Sequence, residues 1–166
     1  MAVLLIRTYD DPVLRRKANR VKHVDGSLER LVADMVETMH AAPGIGLAAP
    51  QVGIPLRVIV IQLPDEPLVV MVNPEIVKGS AETEVEEGCL SVPGYVGTVK
   101  RYQHVTVKGR DLSGKEIRMK ADDLLAQAFQ HEIDHINGVL YIDHLDSPSS
   151  LRKLRPQEEE EAQLAE

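Results

Sequence analysis

The stretch His131-Glu132-Ile133-Asp134-His135 constrains this chain more than any other. On an α-helix, residues four apart stack on one face, so both imidazoles reach a single ion. Glu132, about 100° round the helix, then reaches a water beside it. The plain alternative is an exposed helix carrying i,i+4 polar pairs, and the flanks argue against it. Over 121–136, Leu125, Phe129 and Ile136 form one apolar stripe, while Leu124 and Ala128 share the side of His131 and His135. Asp122 and Asp123 stand where they cap and complement a helix N-terminus, and Gly138 where it stops the C-terminus. The spacing therefore predicts a central, largely buried helix. A buried turn holding two histidines, a glutamate and an aspartate needs compensation for desolvation, which a divalent cation supplies.

Two histidines do not complete a metal site. The H-E-x-x-H-x-x-G-x-x-H pattern continues through Gly138 and fails at Tyr141. Downstream, His144 is the nearest candidate for a third histidine, which would suit an endopeptidase, and Glu158 to Glu161 form a charge run of solvated character. Upstream, the lone Cys89 lies in Glu87-Gly88-Cys89-Leu90-Ser91-Val92-Pro93-Gly94, where the glycines allow close backbone approach. A single cysteine is commonly a small buried hydrophobe. Beside a two-histidine helix it becomes a candidate thiolate ligand, and two imidazoles with one thiolate leave a fourth position open. A closed, purely structural site would need a fourth strong ligand, and none stands at suitable spacing. A third stretch, Gly44-Ile45-Gly46-Leu47-Ala48-Ala49-Pro50-Gln51-Val52-Gly53, has neither G-x-G-x-x-G nor G-K-[ST] spacing and is not a phosphate loop. Its small residues suit a glycine-rich connection or a backbone passing very near a ligand, with the Gln51 amide at the edge.

In chain order, Gly44 to Gln51, Glu87 to Ser91 and Gln130 to His135 resemble peptide deformylase, a family that pairs G-x-G-x-A-A-x-Q with E-G-C-x-S and Q-H-E-x-D-H. The similarity begins at Asp11-Pro12-Val13-Leu14-Arg15 and extends to about His144. The resemblance implies a hydrolase that removes the formyl group from nascent peptides beginning with N-formylmethionine, releasing formate. It makes Cys89, His131 and His135 the ligands of one divalent metal per chain and Glu132 the general acid and base. Gln51 and the backbone N–H of Leu90 would hold the developing oxyanion. It also implies Fe(II), replaceable by nickel, cobalt or zinc, whereas the donor types alone suggest zinc. Ile45, Leu124 and Ala128 are candidates to line a methionine pocket, with Gln127 polar where an apolar lining is expected. Backbone groups around Gly46 and Gly88 are candidates for pairing with an extended peptide.

The remainder fits one α+β catalytic domain over 1–166: antiparallel β-sheets packed around the central helix, an N-terminal helix, and a C-terminal helix or tail over about 148–166. Apolar positions Leu28, Leu31, Val32, Met35, Val36 and Met39 predict a helix over 27–40. Strands are expected at 57–62, 68–73, 81–87, 102–109 and 116–120, with a hairpin turn at 111–114. His23, His40, His104 and His144 are expected in surface or structural roles. A net charge of −7 argues against direct nucleic-acid binding. The apolar run before Arg7 is too short for a signal segment, no stretch suits a membrane span, and one cysteine forms no internal disulfide, so a cytoplasmic protein is expected. Arg152-Lys153-Leu154-Arg155 is followed by Pro156 and four glutamates. This departs from the basic terminal helix with which bacterial family members often contact the ribosome, so such contact is not supported by the acidic tail.

Overall fold

The structure, a computed structural model, describes residues 2–155 and 157–158. Its elements in chain order are α1 (Gly26–Ala41), β1 (Gly46–Ala48), β2 (Val58–Ile61), β3 (Val69–Cys89), β4 (Val92–Arg110), β5 (Glu116–Asp122), α2 (Asp123–Ile136) and β6 (Leu151–Lys153). The strands form one six-stranded sheet in the order β1-β2-β3-β4-β5, with β6 added to β4, and every strand pairing is antiparallel. The α+β reading holds, with the sheet continuous rather than divided.

Residue type explains how the two helices sit. In β2 all four residues are buried, and alternation sends Ile59 and Ile61 to one face and Val58 and Val60 to the other. The first face packs on Phe129, Ile133 and Ile136 of α2, the second on Leu28, Val32, Met35 and Met39 of α1. A strand covered on both faces reads as a continuous apolar run, which is why Val58–Ile61 shows no polar alternation. Asp25 starts α1 by accepting the Leu28 N–H (3.1 Å). Gly138 ends α2 at φ +77°, where an added Cβ would lie 2.7 Å from the Arg15 carbonyl oxygen.

Four local expectations need correction. The segments expected at 68–73 and 81–87 belong to one 21-residue strand, because bulges between Val72 and Glu75 and between Ile76 and Lys78 carry the ladder past Pro74. Asn73 takes φ +52° there, and its side-chain amide grips Val21 N–H and C=O, both at 2.9 Å. β4 likewise begins ten residues before the expected Tyr102, paired throughout with β3. Asp122 accepts no capping hydrogen bond; its carboxylate instead meets His104 Nδ1 at 2.6 Å, and Asp123 accepts from Gln103. Finally, the segment expected as a C-terminal helix or tail from about 148 begins as a short 3-10 turn and becomes the strand Leu151–Lys153 against Tyr95–Gly97. Residues 156 and 159–166 lie outside the described residues.

Candidate metal centre and substrate cleft

Three elements converge at one end of α2. The helix presents His131, Glu132 and His135; the end of β3 presents Glu87, Gly88 and Cys89; the 3-10 turn Ala49–Val52 presents Gln51. One ligand atom from each of Cys89, His131 and His135 can be chosen so that all three lie within 4.8 Å of one another, the one such metal-binding group found among the described residues. Cys89 Sγ is 3.3 Å from His135 Nε2 and accepts from the Ser91 N–H at 3.4 Å. The two imidazoles meet edge to face with centroids 5.0 Å apart. His144 is not in this group. It caps Asp134 (Nε2 to Oδ2, 2.9 Å) away from the two histidines, which removes the third ligand an endopeptidase reading would need. Tyr141 stacks on His131 with centroids 6.3 Å apart, filling the space where the longer histidine pattern would continue.

His131 is aimed from behind. Its Nδ1 lies 2.8 Å from Glu87 Oε1, which leaves Nε2 directed into the group. Arg101 grips Glu87 through both oxygens (2.7 and 2.9 Å) and also donates to Asp134 (2.7 Å). Burial would raise the Glu87 pKa, but the hydrogen bonds from Arg101 and His131 hold it down at about 2. His131 is likewise disfavoured as a cation by burial, yet Cys89 and Glu87 raise its pKa well above the usual value. Burial, reinforced by His131, lowers His135 well below its usual value, so its imidazole is neutral, the form that ligates.

Glu132 is 2% exposed, and its Oε2 has no hydrogen-bond partner. Burial raises its pKa to about 7, against the opposing pull of His131. Gly46 makes room for it, since a Cβ there would sit 3.1 Å from the Glu132 carboxyl carbon. Gln51 is held at both ends of its amide: Oε1 accepts the Ala48 N–H (2.9 Å), and Nε2 donates to Ser91 Oγ (3.1 Å) while facing Cys89 Sγ (3.8 Å). Both amide hydrogens are thus engaged, the one toward sulfur by the longer and weaker bond, which makes it the one that a better acceptor in the site can take over.

A cleft of about 890 Å³ opens over these groups, lined by the Gly44–Gly46 backbone, Gly88 to Leu90, and Leu124, Ala128 and His131 of α2. Ile45 lines it as well. The Gln62 N–H donates to the Ile45 carbonyl at 2.8 Å, and Gly46 stands opposite Ile61. Antiparallel alternation therefore turns the N–H and C=O of Gly46 away from β2, to the free edge of the sheet. Of the groups sequence reasoning passed over, Glu87 lay inside the quoted cysteine stretch, whereas Arg101 has no local signal and reaches Glu87 only through the pairing of β3 with β4.

The family model described as Polypeptide deformylase matches residues 3–150. A peptide deformylase of Dehalococcoides mccartyi (strain CBDB1) is 48% identical over 160 residues, covering 96% of each chain. The crystal structure of a peptide deformylase from Synechococcus elongatus in complex with actinonin superposes with a TM-score of 0.86 at 42% identity, covering 89% of this chain and 81% of that one. That of a peptide deformylase from Legionella pneumophila gives 0.84 at 44% identity, covering 98% and 92%.

Proposed function

The chain belongs to the polypeptide deformylase family, and on that premise we propose that Cys89, His131 and His135 hold its metal while Glu132 moves the proton. The enzyme is a metal-dependent hydrolase that removes the N-formyl group from nascent polypeptides. The observation that carries the assignment is the convergence of one sulfur and two imidazole nitrogens within 4.8 Å beside a buried carboxyl with a free oxygen. This donor set fits a divalent transition metal, which supplies Lewis acidity toward the formyl carbonyl and lowers the pKa of water. The donor types serve zinc, nickel, cobalt or Fe(II); iron as the resident metal rests on the family resemblance. Iron-loaded enzyme should accordingly lose activity in air and nickel-loaded enzyme keep it.

In the reaction, Glu132 accepts a proton from the water that attacks the formyl carbon and returns it to the amine nitrogen as the C–N bond breaks. A carboxyl held near pKa 7 suits both directions of transfer. Gln51 Nε2 and the backbone N–H of Leu90 donate to the oxygen on which charge develops. Formate leaves, and the peptide keeps a free amino terminus.

The peptide lies extended beside β1, pairing with Gly46 and Gly88 by strand addition, which gives affinity with little demand on sequence. The side chain of formylmethionine occupies the space among Ile45, Leu124 and Ala128. No role for nucleic acid or membrane is proposed: the net charge is −7, and no helix among the described residues is long and apolar enough to cross a membrane. Ribosome docking through the tail is not favoured, because Arg152 is engaged by Glu86 and Glu158, and Arg155 by Glu158. A cytoplasmic, single-domain enzyme is the consistent reading.

Formate release from formyl-Met-Ala-Ser and acetate release from acetyl-Met-Ala-Ser, measured anaerobically on metal-loaded protein, test the proposal. One added methyl in a tight acyl site is worth about 10- to 200-fold, so the formyl peptide should exceed the acetyl peptide by at least that factor. Comparable kcat/KM for the two, or cleavage within an unmodified peptide, would overturn it.

A further inference from the structure

The two groups proposed to meet the oxyanion stand on separate turns: Gln51 in the 3-10 turn Ala49–Val52, and Leu90 between β3 and β4. No backbone hydrogen bond among the described residues joins these turns directly. A third segment joins them. Residues 4–18 run as a strap from α1 to the end of α2, with the Leu4 N–H donating to Thr38 Oγ1 and the Ala18 N–H to the Ile136 carbonyl, both at 2.8 Å. Between these anchors the Arg7 N–H donates to the Gln51 carbonyl (2.7 Å) and the Tyr9 N–H to the Ser91 carbonyl (2.9 Å). Strap and turn also meet through side chains, since a Cβ on Gly53 would lie 2.9 Å from the Arg7 guanidinium. The stretch from Asp11 to Arg15 keeps the strap seated: Asp11 accepts the Val13 N–H at 3.0 Å, and Leu14 is fully buried.

The geometry points to Tyr9 as a positioning residue that acts through its backbone N–H, by way of Ser91, on the Gln51 amide. This inference rests on the proposal that Gln51 donates to the oxyanion. Ser91 is fully buried and engaged on three sides. Its N–H donates to Cys89 Sγ (3.4 Å), its Oγ accepts from Gln51 Nε2 (3.1 Å), and its carbonyl accepts from Tyr9. The strap therefore grips the backbone on both sides of the bond between Gln51 and Ser91, from two residues of its own that stand two apart. With that bond held, the second amide hydrogen of Gln51 is aimed toward Cys89 Sγ at 3.8 Å, where an oxyanion can replace sulfur as its acceptor. The Tyr9 side chain is 55% exposed, so the contribution lies in the N–H rather than the ring.

The Asp11 N–H donates to the Thr8 carbonyl at 2.8 Å, which makes Tyr9 the second residue of a β-turn, a position that suits proline. Tyr9→Pro thus deletes the N–H and keeps the turn, and Tyr9→Ala, which loses the ring and keeps the N–H, is its reference. On metal-loaded full-length enzyme with formyl-Met-Ala-Ser, Tyr9→Pro should lower kcat about tenfold or more relative to Tyr9→Ala, at equal metal content and with KM within about twofold. A role confined to stability would shift thermal unfolding and leave the kcat of the folded protein in place. Gln51→Ala should cost about 10²- to 10³-fold in kcat by itself. Adding Tyr9→Pro to it should cost no more than about threefold further, because the group being positioned is gone. Equal kcat in Tyr9→Pro and Tyr9→Ala, or a tenfold loss that persists without Gln51, would overturn the inference. Should Tyr9→Pro fail to hold metal, Ser91→Ala decides, since it keeps both strap bonds and removes the acceptor of Gln51 Nε2: a loss of about tenfold or more that disappears in Gln51→Ala upholds the inference, and wild-type kcat overturns it. Wild-type kcat in Gln51→Ala would instead overturn the oxyanion proposal beneath it.

Discussion

Glu87 Oε1 lies 2.8 Å from His131 Nδ1, and the same carboxylate is clamped by Arg101 in a pair whose side chains are no more than 5% exposed. Removing one member leaves the other charged and buried, which costs about 3–5 kcal/mol. Losing a hydrogen bond that aims a ligand costs about 10- to 100-fold in metal affinity. Glu87→Ala should therefore show both effects, and Arg101→Ala mainly the loss of stability. Metal titration and thermal unfolding check these outcomes.

The same carboxylate sets an acid limit. Its pKa is about 2 in the folded protein against an ordinary value of 4.5, so the unfolded chain binds the proton more readily. The resulting stabilisation is fully present above pH 4.5 and is lost as pH falls toward 2, amounting to about 3 kcal/mol. Urea unfolding of metal-free protein from pH 6 to pH 2.5 should show a steeper loss in the wild type than in Glu87→Gln. Parallel profiles would contradict the assignment.

Gly46→Ala should slow turnover without releasing metal. The added Cβ would stand 3.1 Å from the Glu132 carboxyl carbon and press on the proton carrier alone. A kcat reduced about tenfold or more at unchanged metal content is expected, since misplacement of about 1 Å can cost far more.

Tyr141→Phe should be neutral or stabilising by about 1 kcal/mol. The hydroxyl is buried without a hydrogen-bond partner, and burial, with Cys89 and Glu87, raises its pKa, so it contributes desolvation and no bond. Ring stacking on His131 survives the change. Thermal unfolding and metal content report the result.

The sequence carried most of the local chemistry, because helix periodicity puts His131 and His135 on one side without any knowledge of the fold. It also carried the buried character of α2 and the helical spacing of α1. It did not carry Arg101, whose partner Glu87 is 14 residues away and is reached only across the β3–β4 pairing. Register is a tertiary property, and the bulges at Val72–Glu75 and Ile76–Lys78 shift it in ways that Pro74 and Gly79 disguise as a break. The strand Gly46–Ala48 was hidden for a related reason: glycine and alanine lower strand propensity, while pairing with β2 supplies what propensity lacks. β6 is only three residues long and owes its strand form to pairing with Tyr95–Gly97 of β4, which no local pattern announces.

The central claim is that Glu132 moves the proton while Cys89, His131 and His135 hold the metal, and Glu132→Gln separates the two most directly. Formate release from formyl-Met-Ala-Ser should be measured on wild type and variant at equal, verified metal content. A general acid and base contributes about 10²- to 10⁴-fold, so the variant should bind one metal per chain and lose at least 10² in kcat. Full metal content with turnover near that of the wild type would contradict the account.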